Sequence, residues 1–269
     1  RINGLLISNK EIDLFVQTYK KDIDKTKATF FETITAMAFW YFKKKGVDIC
    51  ILETGLGGRL DSVSICEPMA TVITPISLDH LEILGETLPE IAFEKAGVIK
   101  NGVTCISSKQ DSSVTKVLIE EANKKGSPIH FISSKNSLEY MVNIPGDFQK
   151  ENAKLAVSTL EHLNNFHIPK TAVMNGLQTV QWFGRNQHIQ KNPLVIFDVA
   201  HNIESLRGFL KYYDSLNISE DSVLIIALQE RKQIQTLSST FQIMFKHIIC
   251  TETTARHSMP ADELKKQFD

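Results

Sequence analysis

TPISLDHLEILGETLPEIAFEKAGVIK, residues 74–100, holds in one stretch the alternation that decides the fold. A β-rich run, MATVITPI (69–76), ends inside it, the polar pair Asp79-His80 follows, and a helix begins behind Thr87. Thr87 and Glu90 form a T-x-x-E capping box, in which each residue satisfies a backbone donor that the helix start leaves unpaired. On the helix 87–96, Leu88, Ile91, Ala92 and Lys95 share one face at helical spacing. Lys95 thus sits on an apolar stripe, where a cation without a partner is costly. It reads either as a lysine snorkelling from the stripe's edge or as one aimed into a polar cleft near His80. His80 alone reads as a loop histidine; beside a strand-end carboxylate it can share a divalent cation.

Such a carboxylate stands upstream. ILETGLGGRLDS (51–62) closes the apolar run VDICILET (47–54), predicted as a strand that ends at Glu53. Gly55, Gly57 and Gly58 follow and permit positive φ and close backbone approach. The loop looks like a phosphate cradle, yet G-x-x-x-x-G-K-[ST] occurs nowhere in the sequence. A tight turn with a solvated Glu53 is the competing reading.

Working outward, strands are predicted at 69–76, 103–108, 128–134, 193–200, 222–228 and 247–253, with helices at 30–45, 87–96, 149–164 and 203–215. Most of the strands are continuous apolar runs, as expected where both faces of a parallel sheet are covered. The chain is therefore an α/β protein with ligands at the carboxyl ends of its strands. QWFGRNQHIQKN (181–192), polar and glycine-containing, marks a boundary between units 1–181 and 186–269. A net charge of −1 over 269 residues, without a Lys/Arg block, gives no electrostatic case for nucleic acid or an anionic membrane surface. No apolar run approaches the ~18–20 residues that span a bilayer, and no signal peptide is evident. Four scattered cysteines without C-x-x-C read as reduced thiols, so a cytoplasmic protein is expected. The opening RINGLLIS, without Met, and the helical close ADELKKQFD lead to the expectation of a chain cut at both ends.

Two further segments carry candidate chemistry. GDFQKENAKLAVSTLEHL (146–163) reads as an amphipathic helix with Ala153, Ala156, Val157, Leu160 and Leu163 inward and Asn152 on the buried side near its start. Asn152 either satisfies nearby backbone or reads a base edge with its amide. LVIFDVAHNIESLRGFL (194–210) places Asp198 at a strand end and His201-Asn202 in the turn. Asn202 caps a helix with Leu206, Phe209, Leu210 and Tyr213 inward.

Together RINGLLIS, TFFETITAMAFWYF, ETGLGGRLDSV, the block 74–100, FQKENAKLAV, WFGR, FDVAHN and a weaker RHSMPADEL resemble the Mur ligase superfamily. The closest resemblance is to its folylpolyglutamate synthase/dihydrofolate synthase branch. The resemblance implies a P-loop-type ATPase (Mur ligase central) domain at 1–181, lacking its P-loop segment. A smaller, incomplete Rossmann-like C-terminal (glutamate ligase) domain follows at 186–269. It also implies an ATP-dependent ligase that phosphorylates a folate or dihydropteroate carboxylate and joins it to L-glutamate, with Mg²⁺ on the phosphates. Residue by residue, Glu53 and His80 match metal ligands, and Lys95 matches a lysine that is carbamylated. Asn152 matches an adenine contact, Arg185 a phosphate contact and Asp198 a ribose- or phosphate-side position. His201 matches a position at the ATP and glutamate side. A monomer is implied, and the chain by itself is expected to be inactive without the P-loop. QERKQ (229–233) stands where the family carries a D-K-D-like motif, and DVAHNIE replaces D-G-A-H-N-P. A non-catalytic nucleotide- or folate-binding relative and another Mur-type amino-acid ligase remain the alternatives.

Overall fold

The structure, a computed structural model, describes residues 1–132, 140–163, 165–218, 221–230, 232 and 234–268. Parts of four expectations lie outside these residues: Ser133 and Ser134 of the strand 128–134, Asn164 of the helix 149–164, Arg231 and Gln233 of QERKQ, and Asp269 of the helical close ADELKKQFD. The chain divides into two compact units, residues 1–105 with 110–130, and residues 106–109 with 131–269. This division differs from the boundary expected at 181–186, whose polar segment is itself partly a strand.

The first unit opens with two capped helices, α1 (Asn9–Thr26) and α2 (Phe30–Lys45). Thr29 and Glu32 form a capping box at the start of α2, and Gly46 ends it in the left-handed region at φ 62°. The rings of Phe15 and Trp40 lie 5.5 Å apart between the two helices. Residues 47–54, expected as a strand, have no strand conformation. A strand exists only through the neighbour that takes up its N–H and C=O groups, and 47–54 pairs with no described strand. Ile49 and Ile51 stay exposed, Ile51 at 94%.

After β1 (Thr71–Ile73) come α3 (Leu81–Leu84) and α4 (Leu88–Ala96), then β2 (Cys105–Ser107), α5 (Ser112–Lys124) and β3 (Ile129–Phe131). The three strands form one sheet in the order β1-β2-β3. The central β2 is buried along its length, as its continuous pattern requires. Ile91, Ala92, Ala96 and Ile99 pack with Cys105 and with Val114, Leu118 and Ala122 of α5 in a core without exposed surface. Burial pushes the Cys105 thiol up, away from the reactive thiolate, and all four cysteines are free.

The second unit continues with α6 (Asp147–Glu161) and α7 (Lys170–Thr179). Next is a hairpin of β4 (Gln187–Lys191) and β5 (Leu194–Phe197), paired antiparallel. An entirely parallel arrangement was expected. The polar QHIQK lacks an apolar strand pattern, but only a short turn separates it from β5, and short turns close antiparallel pairs. Then follow α8 (Ile203–Ser215), β6 (Val223–Ile226), α9 (Gln235–Met244), β7 (His247–Cys250) and α10 (Ala261–Lys265). β6 and β7 pair in parallel. Leu206, Leu210 and Tyr213 of α8 join Ile226, Phe241 and Leu264 in the core, with Phe209 at its edge. This is the face that helical spacing predicted.

Candidate functional site

In the first unit the glycine-rich loop is closed by its own chain. Asp61 accepts from the amides of Gly55 (2.8 Å) and Leu56 (3.0 Å) through one carboxylate oxygen and from Val63 (3.0 Å) through the other. Three amides that could have met a phosphate are thus already occupied, so this part of the loop is a closed turn. Its other end is fixed to α4. The Arg59 amide donates to the Glu94 carbonyl at 2.9 Å. The Arg59 guanidinium grips the Glu94 carboxylate through Nη2 at 2.8 Å and Nε at 3.2 Å. That contact raises the Arg59 pKa above its ordinary value. A Cβ on Gly97 would stand 2.1 Å from Arg59 Cα, and one on Gly58 would stand 2.8 Å from the Lys95 carbonyl oxygen. Backbone therefore meets backbone here, and that approach is what these two glycines permit.

The loop behind Glu53 and the helix carrying Lys95 are brought together in this way. Lys95 is half-buried beside the buried Ile91 and Ala92, and its ammonium has no hydrogen bond or ion pair among the described residues. Glu53 is exposed and likewise unpaired. His80 is exposed in the left-handed region, φ 53°, at the head of α3. α3 reaches the glycine loop through Leu84, 3.1 Å from where a Gly57 Cβ would stand. The Gln110 side chain anchors the segment leading to His80, donating to the Thr74 carbonyl (2.9 Å) and accepting from the Ile76 amide (2.9 Å). The capping box of Thr87 and Glu90 is formed as predicted. Among the described residues no group of three or more His, Cys, Asp or Glu side chains converges on a point. Glu53 and His80 are therefore at most a sparse set, which suits a cation that keeps most of its waters.

In the second unit the Asp198 carboxylate is the organising group. One oxygen accepts from the Asn186 amide and the other from the Ala200 amide, both at 2.7 Å. The Val199 amide donates to the Gly184 carbonyl at 3.0 Å. The turn carrying Arg185 is thereby held against the turn carrying Asp198 and His201. Arg185 is half-buried, makes no hydrogen bond or ion pair among the described residues, and lines a cavity of about 330 Å³. Trp182 and Phe183, 64% and 75% exposed, share that wall with Asn186 and His188. His188 Nε2 lies 2.7 Å from the Tyr212 hydroxyl. The His201 Nδ1 lies 3.0 Å from the Val199 carbonyl. A carbonyl only accepts, so Nδ1 carries a proton, and Nε2 is the ring nitrogen left to face outward from this contact. Asn202 caps α8, accepting from the Ser205 amide at 2.9 Å.

Asn152 departs from expectation. It is exposed, its amide donating to Gln149 at 3.3 Å, while Ala153 and Leu155 are the buried residues of α6 and Ala156 faces out. The larger Leu155, not Ala156, takes the core, which turns the helix face and carries Asn152 outward. The sequence reading missed Asn186, Trp182, Phe183 and the Arg59–Glu94 pair. WFGR flagged the neighbourhood, but nothing in a polar segment marks which asparagine is buried.

These observations define an α/β protein whose candidate side chains lie partly in turns that follow β-rich runs and partly on the helices α4 and α6. The chain belongs to the Mur ligase family, matching the Mur ligase middle domain over residues 4–144. It is 35% identical to a Bacillus subtilis dihydrofolate synthase/folylpolyglutamate synthase, over 88% of this chain and 64% of that protein. It is 30% identical to a probable dihydrofolate synthetase of Schizosaccharomyces pombe, over 96% of this chain and 68% of that one. A crystal structure of Mycobacterium tuberculosis folylpolyglutamate synthase with ADP and AMPPCP superposes with a TM-score of 0.87 at 23% identity. That match covers 97% of this chain and 67% of the other. The chain thus spans about two thirds of the length of these relatives.

Proposed function

We propose that the protein is an ATP-dependent ligase that joins L-glutamate to a folate or dihydropteroate carboxylate through an acyl phosphate. Residues 1–181 would supply the ATPase-type central domain and 186–269 the glutamate-ligase domain, acting as a monomer in the cytoplasm on small molecules alone. Family membership and the relatives' names support the reaction class. The observation that carries the nucleotide assignment is the unpaired Arg185 on the cavity wall, in a turn that Asp198 holds rigid.

The chemistry runs in two displacements. A carboxylate oxygen of the pterin-containing acid attacks the γ-phosphorus of ATP, and ADP leaves. The glutamate amine then attacks the acyl carbon, an amide forms, and phosphate departs with the original carboxylate oxygen. Arg185, a planar fork of donors without another partner among the described residues, binds phosphate oxygens and their developing charge. Asp198 keeps Arg185 in place and turns its remaining lone pairs to the ribose side. His201, oriented by its Nδ1 contact, offers Nε2 to accept the proton that the glutamate ammonium must lose. Asn152, exposed near the start of α6, takes the adenine edge.

Glu53 and His80 would hold Mg²⁺, since both side chains are exposed and Glu53 is unpaired. Mg²⁺ supplies neutralisation of phosphate oxygens. Carbamylation of Lys95 would exchange a half-buried, unpaired cation for a carboxylate. In the protein translated from its full reading frame, ATP and dihydropteroate are expected to yield phosphate only when L-glutamate is present. No glutamate-dependent release contradicts this reading, and release with a different amino acid instead points to another Mur-type ligase.

A further inference from the structure

We infer that Asn186 is a positioning residue that fixes the phosphate-binding turn of the second unit, joining three segments through its main-chain amide and its fully buried side chain. Its main-chain amide donates to Asp198 at 2.7 Å, and its side-chain amide donates to the Pro145 carbonyl at 3.0 Å. Pro145 and Gly146 lead directly into α6, the helix that bears Asn152. Gly146, at φ 109°, approaches so closely that a Cβ there would stand 2.8 Å from the Asn186 side-chain nitrogen. Asn186 thus ties the start of α6 to the turn of Arg185 and to the strand-end turn of Asp198 and His201.

The residue type follows from the geometry. Asn186 has φ 43°, in the left-handed region that asparagine and glycine tolerate best. Glycine would keep the turn but lose the bond to Pro145. Aspartate would keep the shape but set a carboxylate against the Pro145 carbonyl and beside Asp198. Asn186 is 0% exposed, and its Oδ1 has no partner among the described residues. Burying an unpaired acceptor is unfavourable, so simple packing does not account for an asparagine here. The donor half of the amide accounts for it, because that half makes the bridge. Asn186 lines the same cavity as Arg185, so loosening the bridge loosens the guanidinium's aim.

This inference rests on the proposed nucleotide reading, and the experiment separates the two. In the protein from its full reading frame, Asn186→Gly and Asn186→Asp are compared with wild type by amide hydrogen exchange, well below the melting temperature and without nucleotide. Exchange at residues 186, 199 and 200 is expected to rise about tenfold, as the loss of one buried hydrogen bond implies, while α5 stays protected as in wild type. Unchanged exchange at those three amides overturns the inference even if wild type fails to bind ATP, an outcome that by itself sinks only the nucleotide reading. With ATP–Mg²⁺ as the probe, KM for ATP is expected to rise about tenfold and kcat at saturation to stay within about twofold. A variant with wild-type KM and a kcat lowered in proportion to its folded fraction shows a merely structural role and overturns the inference as well.

Discussion

The two units use the same device, a carboxylate that collects backbone amides, to opposite ends. Asp61 takes the amides of Gly55, Leu56 and Val63 and so closes a glycine loop that would otherwise resemble an anion site. Asp198 takes the amides of Asn186 and Ala200 and so holds open a turn whose arginine has no partner among the described residues. The arginine two residues before Asp61 and the one in the turn that Asp198 holds follow suit. Arg59 is consumed by Glu94, whereas Arg185 is left to face a cavity. In the first unit the available groups are Glu53, His80 and Lys95, suited to a cation and its carboxylates. In the second they are Arg185 and His201, suited to an anion and a proton. Glycines and arginines do not by themselves mark a phosphate site; what matters is whether the chain has already satisfied them.

The comparison can be broken most forcefully at the cation side. Glu53→Gln in the full-frame protein keeps the shape and removes the charge, and it should lower turnover at limiting Mg²⁺ by about 100-fold or more. Because Glu53 has no partner among the described residues, the variant's melting temperature should not move; unchanged turnover would remove Glu53 from the proposed metal site. Next in size, Gly97→Ala forces a methyl against the Arg59 backbone and should cost roughly 1–3 kcal/mol in a urea titration. A neutral result would show that the loop yields more easily than its backbone contacts suggest. Arg185→Ala should weaken ATP binding by about 10- to 100-fold in a calorimetric titration, the worth of a charge-assisted contact. It should leave stability unaltered, since no described partner is lost.

The smallest effect sharpens the frame around the second site. Asp147, at the start of α6, is held below its ordinary pKa by Lys211 and then Lys150, with contacts of 2.8 and 3.1 Å. A depressed folded pKa means that the contribution is present above the unfolded value and disappears as pH falls through the folded one. The groups are exposed, so only about 0.2–1 kcal/mol is at stake. Urea titrations of wild type and Asp147→Asn should differ by that amount at neutral pH and converge at the acid end. A constant difference would assign the effect to packing.

Much of this is legible in the sequence alone. Thr87 and Glu90, Asn202, and the apolar face of α8 are local signals, and each stands where the spacing put it. The strand 47–54 failed because pairing is a property of two segments, and an apolar run carries no record of whether its neighbour is there. Asn152 was misplaced because Leu155 outcompeted Ala156 for the core, a choice decided by volume that periodicity alone does not rank. Asn186 was invisible because its importance is three-dimensional. Its bonding partners, Pro145 and Asp198, lie 41 and 12 residues away, in segments that nothing in the polar linker announces. The candidate residues themselves were found mainly through resemblance, and their freedom from partners only through structure.

The central claim is that carboxylate activation proceeds through an acyl phosphate, and oxygen transfer tests it most directly. Dihydropteroate labelled with ¹⁸O in its carboxylate is supplied with ATP, Mg²⁺ and L-glutamate to the full-frame protein, and the released phosphate is examined by mass spectrometry. The account predicts one carboxylate-derived ¹⁸O in the phosphate of each turnover. Phosphate free of label, with amide product still formed, would contradict it.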